Sequence, residues 1–316
     1  MKYLSLLAVV ALAACGGTPK QTSTQKAENL VSETVGMQPS YVTAGYHAYA
    51  EYAADGPIQE ASALVASRVS PGVFWTLNDS GGRAEIFATT RTGELLCTYT
   101  VQGAEPNDWE DMALDDAGNL YISDLGNNRN TRTDLRVFKL REPTLPNDVW
   151  RDGAPVAGFT PCNLSVDVTA TIPVHYPDQT EFPPSPRIFD CEAIFFDQNS
   201  LYLLTKTREV LTSTLYRIPE EGGAAERLQT ISLADESDLP FPGMVTAADL
   251  SPDGTTLAVL SYNALRLYDW TPGHIGDMLL RVALKHDECI QTESVTFSGD
   301  EILFTNEQRT WFMVDR

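Results

Sequence analysis

Asn107-Asp-Trp-Glu-Asp-Met-Ala-Leu114 contains the pattern on which the fold turns, an acidic residue followed within four positions by Leu or Phe. The same pattern returns as Glu60-Ala-Ser-Ala-Leu64, Glu192-Ala-Ile-Phe-Phe196 and Glu293-Ser-Val-Thr-Phe297. Thr246-Ala-Ala-Asp-Leu250 is a fifth copy without the acid. Measured from the first position, the copies are spaced by 50, 82, 54 and 47 residues.

Each copy opens a module of short apolar runs parted by turn signals. The third has AIFFD, SLYLLTK (200–206), STLYRIP (213–219) and ERLQTISL (226–233). The fourth has AADLSPDG, TLAVLSY (256–262), ALRLYDW (264–270) and MLLRVAL (278–284). Alternating, β-branched and aromatic runs of this length, joined by Asp-, Asn- and Gly-rich links, are strands and tight turns. Three of the four spacings match the period of four-stranded propeller blades. The expected fold is therefore all-β, a β-propeller of five four-stranded blades, with six as the alternative. The stretch 141–189 is proline-rich and is either a long insertion in the second blade or a degenerate extra one. The last module, with EILFTNE (301–307) and TWFMVD (310–315), stops one strand short. A strand from within residues 41–56 is expected to fill that place and close the ring, which removes exposed edges. A β-sandwich accommodates short alternating strands as well, but not the recurrence of one four-strand order.

Residues 1–14 carry Lys2 and the apolar run Leu4–Ala14, too short to span a bilayer and suited to a signal peptide. Leu12-Ala-Ala-Cys15 resembles a bacterial lipobox, with an ordinary secretory leader as the alternative. Lipidation of Cys15 would anchor the chain in the cell envelope, and Gly16 after it points to the outer membrane. Residues 15–40 have the composition of a flexible tether, and the propeller domain is expected over 41–316. The formal net charge of −21 argues against a nucleic-acid partner. Beyond Cys15, Cys97, Cys162, Cys191 and Cys289 permit three complete pairings or remain buried thiols. No CxxC, GxSxG or phosphate-binding glycine loop occurs.

In a propeller the innermost strands line the central channel, so Glu60, Glu110, Glu192 and Glu293 are expected to converge at one mouth, with Asp111 beside them. Converging carboxylates repel, and burial adds a desolvation penalty. A hard cation with oxygen ligands, calcium first, would resolve this, with Glu60, Glu110, Asp111, Glu192 and Glu293 as its ligands, or arginines across the channel would pair with them. Asp108 and Asn107 could add oxygens. The alternative is that each glutamate accepts neighbouring-blade amides and only locks the blades. Two loops after second strands, Asn78-Asp79-Ser-Gly-Gly-Arg83 and Ser123-Asp124-Leu-Gly-Asn127-Asn128-Arg129-Asn130, share an Asn/Asp, Gly, Arg order. Asp79, Arg83, Asp124, Asn127 and Arg129 are thus candidate ligand-binding groups, with local Asx turns as the alternative reading.

The series NDWEDMA, LYISDLGNN, DCEAI and DLSPDG resembles a group of bacterial secreted propellers of largely unknown function, over about residues 60–316. More distantly, the chain is similar to the calcium-dependent propellers that include gluconolactonases, arylesterases and phytase-like proteins. That likeness implies calcium near Glu110, Asp111 and Glu192, although the catalytic histidines of those enzymes have no counterpart here. Two functions are expected to compete. One is a membrane-tethered propeller that binds a small-molecule ligand or an envelope protein, with calcium in its channel. The other is a metal-dependent hydrolase of a lactone, ester or phosphoester.

Overall fold

The computed structural model describes residues 41–53, 55–79 and 82–315. The leader, Cys15 and the tether lie outside the described residues. The domain is a five-bladed β-propeller. Its innermost strands are Val65–Ala66, Met112–Leu114, Asp190–Asp197, Val245–Leu250 and Thr292–Ser298, and each adjoins the next around the axis, the fifth returning to the first. Blades three and four follow the expected order of four consecutive antiparallel strands. In blade five Tyr46–Glu51 pairs antiparallel with Thr310–Val314, so the N-terminal segment supplies the missing outer strand and closes the ring.

Burial follows position in the blade. Leu201–Lys206 of the second strand is buried throughout, because neighbouring blades cover both faces. The outer strand Glu226–Ser232 is largely exposed, and its sequence is correspondingly polar. The apolar side chains form five clusters, each between two adjacent blades. Trp109 lies between blades one and two, and Trp311 between five and one, where it meets Phe74 and Tyr52. An indole of that size withdraws about 200 Å² from water, or about 5 kcal/mol at 25 cal/mol/Å². Ring closure therefore rests on packing as much as on the strand pairing of Tyr46–Glu51.

The 82-residue spacing is an insertion in blade two and not a sixth blade. After Arg136–Arg141 the chain forms a small hairpin, Trp150–Arg151 with Ala154–Pro155, before the long strand Cys162–His175. That strand serves two blades. Cys162–Asp167 runs parallel to Cys97–Gln102 at the edge of blade one, and Val168–Pro173 then pairs antiparallel with Arg136–Leu140 of blade two. A disulfide between Cys97 and Cys162 fixes the crossing, while Cys191 and Cys289 are buried free thiols.

Candidate functional site

A recurring backbone irregularity aims side chains at one mouth of the channel. The pairing of Asp190–Asp197 with its neighbour shifts register between Cys191 and Ala193, leaving Glu192 as an extra residue. The same shift isolates Thr246 in blade four and Glu293 in blade five. In blade two, Glu110 N–H donates to Ser123 O at 3.1 Å while Ser123 N–H donates to Asp111 O at 2.9 Å, so two residues face one. A bulge re-aims its extra residue and bends the strand, which is why these positions leave the interblade packing. In blade one Ala61 bridges Asn78 directly, and Glu60 stands exposed at the edge of the mouth.

Among the described residues, Asp79, Asp108 and Glu110 form an acidic group, each offering an oxygen within 4.8 Å of the others. Asp79 follows the second strand of blade one. Asp108 is set by its amide, which donates to Asp124 Oδ1 at 2.8 Å. Gly126 makes the space, since a Cβ there would overlap the Glu110 and Asp108 carboxylates. Burial pushes the Asp108 carboxyl up to about 6, helped by the Asp79 charge. Burial also raises Glu110 well above its ordinary range, with Glu192 and Asp79 adding to it. The donor set is all oxygen and suits a hard cation such as calcium, whose ligands lie at about 2.3–2.6 Å and therefore within about 5 Å of one another. Three carboxylates supply fewer than the six to eight oxygens that calcium takes, leaving places for water or a ligand.

Next to this group the charges are compensated by protein. Lys206 at the end of Ser200–Lys206 is buried and pairs with Glu192 Oε2. Its Nζ also donates to Tyr262 Oη at 3.1 Å, and Tyr262 Oη donates to Glu293 Oε1 at 2.6 Å. Arg208 holds Asp190 Oδ2 at 2.6 Å and lies 3.6 Å from Glu192 Oε1. Burial alone would lower Lys206, but Glu192 and Glu293 hold it as an ammonium. Burial raises Tyr262, and the Glu293 charge adds to the effect. Glu307 is pushed up to about 7 by burial and then by Glu293 and Asp79.

The remaining expected residues separate from this mouth. Asp111 accepts the amides of Met112 at 2.8 Å and Ile194 at 2.9 Å, a bond from blade two to blade three. Asp249 does the same between blades four and five, accepting Phe297 N–H at 2.8 Å. Both are locks. Asp124 is fully buried against Arg132 and Arg136 and builds the loop that carries Asp108. Asn127 caps the next loop, 127–132, its Oδ1 accepting Thr131 and Arg132 amides, and its backbone amide donates to Asp190 Oδ1 at 2.6 Å. Arg129 is exposed, and Arg83 is 86% exposed with Glu85 3.9 Å away.

Sequence reasoning passed over Lys206, Tyr262 and Glu307. Their signal was present, because they and Asp79 end the equivalent runs SLYLLTK, TLAVLSY, EILFTNE and VFWTLND.

No protein-family profile matches the chain, and no curated protein matches it. Among solved structures it shows distant, partial similarity to β-propellers. The PQQ-bound aldose sugar dehydrogenase of Streptomyces coelicolor has 10% identity and a TM-score of 0.47, covering 85% of this chain and 98% of that one. The periplasmic gluconolactonase of Pseudomonas aeruginosa has 18% identity and a TM-score of 0.42, covering 78% of each. Virginiamycin B lyase of Staphylococcus aureus has 13% identity and a TM-score of 0.40, covering 84% of this chain and 69% of that one. These are likenesses of fold.

Proposed function

We propose that the protein is a cation-dependent hydrolase of a small lactone, ester or phosphoester, working at the channel mouth. The observation that supports it is the placement of an oxygen-only acidic trio, Asp79, Asp108 and Glu110, beside the hydrogen-bonded series Lys206, Tyr262 and Glu293. The trio would hold calcium, which when bound polarises a substrate oxygen and favours ionisation of water. Tyr262 carries a proton at Oη, already shared with Glu293, and Lys206 keeps a positive charge beside it. Those groups can give a proton to a leaving oxygen as water adds to the acyl or phosphoryl centre. Glu307 changes charge near neutrality and is suited to accept the proton released by water. A channel whose acids only locked the blades would resemble Asp111 and Asp249, with every oxygen turned to an amide.

Calorimetric titration with calcium, and turnover of a panel of the three substrate types by wild type, Glu110→Gln and Tyr262→Phe, test this reading. Calcium binding that Glu110→Gln weakens, with activity lost in both variants, is the expected result. Calcium binding with no turnover across the panel would reduce the site to ligand or partner binding.

We further propose, from Leu12-Ala-Ala-Cys15, that an acyl chain on Cys15 tethers the propeller in the cell envelope. Labelling with palmitate in cells, abolished by Cys15→Ser, is the expected outcome.

A further inference from the structure

Between blades three and four the chain makes a loop, Glu236 to Gly243, that presents an aromatic ring to solvent in an unfavourable backbone. Phe241 is 53% exposed, and its φ is +50°. A bulky residue rarely adopts a left-handed φ, and the following Pro242 disfavours helical conformations further. The loop is held there from below. Asn263 Nδ2 donates to Pro240 O at 2.9 Å and to Phe241 O at 3.3 Å. Gly243 N–H donates to Glu236 Oε2 at 2.8 Å, and Glu236, fully buried, is paired with the equally buried Arg266 at 2.7 Å. A buried ion pair and a buried amide thus maintain a strained residue whose ring gains little burial. Strain retained in this way marks functional positions more than accidental ones.

The position of the ring gives it a use. It forms a T-shaped pair with Tyr262 at 6.3 Å between centroids, and it lies 5.6 Å from the ring of His286. Tyr262 is the residue whose hydroxyl joins Lys206 to Glu293, so the exposed aromatic borders the proposed reaction site directly. The charge around it selects further. Carboxylates at this mouth outnumber Lys206 and Arg208, and the whole chain carries −21, which opposes approach of a phosphoester dianion.

We infer that Phe241 is a stacking platform for a planar apolar group, and that the ligand is an uncharged ester or lactone bearing an aromatic substituent. The ester or lactone part rests on the proposed hydrolase reading, whereas the stacking does not depend on turnover.

The probes are γ-phenyl-γ-butyrolactone and unsubstituted γ-butyrolactone, with affinities measured by saturation-transfer NMR on the full propeller, in calcium and in chelator. Wild type should prefer the phenyl lactone by roughly tenfold, the scale of one aromatic pair. Phe241→Tyr should keep that preference, and Phe241→Ala and Phe241→Gly should bring the ratio near one. Phe241→Gly should melt no lower than wild type, because glycine accepts the positive φ freely. A ring needed only for stability would give the reverse, a lower melting temperature with the ratio unchanged. Equal affinities in wild type, undetectable binding of the phenyl lactone, or a ratio preserved in Phe241→Ala would each overturn the inference. A preference that Phe241→Ala removes, without hydrolysis of either lactone, leaves the platform standing and removes only the hydrolase reading.

Discussion

Gly126 stands so close to Glu110 that a methyl group on its Cα would overlap Oε1 of the carboxylate. The same methyl would also strike Asp108. Gly126→Ala must therefore push the two acids out of their present arrangement, at about 1–3 kcal/mol for an overpacked site. The expected result is a calcium affinity at least tenfold weaker, read by calorimetry, with a far-UV spectrum unchanged. Full affinity in Gly126→Ala would mean that Glu110 and Asp108 do not hold the ion together.

Much of the architecture is legible in the sequence alone, for a physical reason. Strands declare themselves by alternation and by turns, so the repeating runs gave blades three and four directly, and the short fifth module implied the closing strand that Tyr46–Glu51 provides. The crossing strand was not legible as such, because nothing in Cys162–Asp167 says that it pairs with blade one before blade two. The site was half legible. Glu110, Glu192 and Glu293 were marked by recurrence, but a bulge is a property of hydrogen-bond register, which composition does not carry. Glu110 and Asp111 are adjacent and turn opposite ways, one toward the acidic trio and one toward Ile194, a division that only pairing reveals.

Asp108 and Glu307 should make stability fall as pH rises when no metal is present. Asp108 at about 6 and Glu307 at about 7 are raised above their unfolded values, so the folded state holds more protons between about pH 4 and 7. Their contribution is fully present below the unfolded pKa and is lost as pH passes through those folded values. The lowered Asp115 and Asp235 titrate below this window and do not oppose it. In chelator, thermal melts at about pH 5 should exceed those at about pH 8. Calcium should narrow that difference, since it replaces the protons. At a hundred times its Kd it should add about 2.7 kcal/mol, or roughly 5 °C for a domain of this size. A calcium response as large at pH 5 as at pH 8 would exclude Asp108 as a ligand.

Two aspartates three positions apart should separate stability from binding. Asp111→Ala removes the acceptor of the Met112 and Ile194 amides and leaves both buried, which costs about 2–4 kcal/mol. Its calcium affinity should stay within about threefold of wild type in whatever fraction folds. Asp108→Asn keeps the shape and removes one charge from a repelling group, so the metal-free protein should melt at or above the wild-type temperature. The calcium-induced rise should vanish in that variant. Melting curves of both variants, with and without calcium, decide the point, and matching behaviour would erase the distinction between lock and ligand.

Lys206 is the protein's own counter-charge beside the trio, and removing it should be expensive. Lys206→Met leaves Glu192 buried without its partner and takes a donor from Tyr262, so about 3–5 kcal/mol of stability should be lost. Glu192→Gln in the same chain removes the uncompensated charge and should restore at least half of that loss, since the remaining groups are neutral or still paired through Tyr262 and Glu293. Denaturant unfolding of the two singles and the double measures the coupling. Purely additive losses would show that Lys206 and Glu192 act independently, and the double variant would then give no support to a charge-compensated site. If coupling is found, the double variant also serves the function test. It should retain calcium on Asp79, Asp108 and Glu110 while losing turnover, because the ammonium beside Tyr262 is gone and the metal ligands are not.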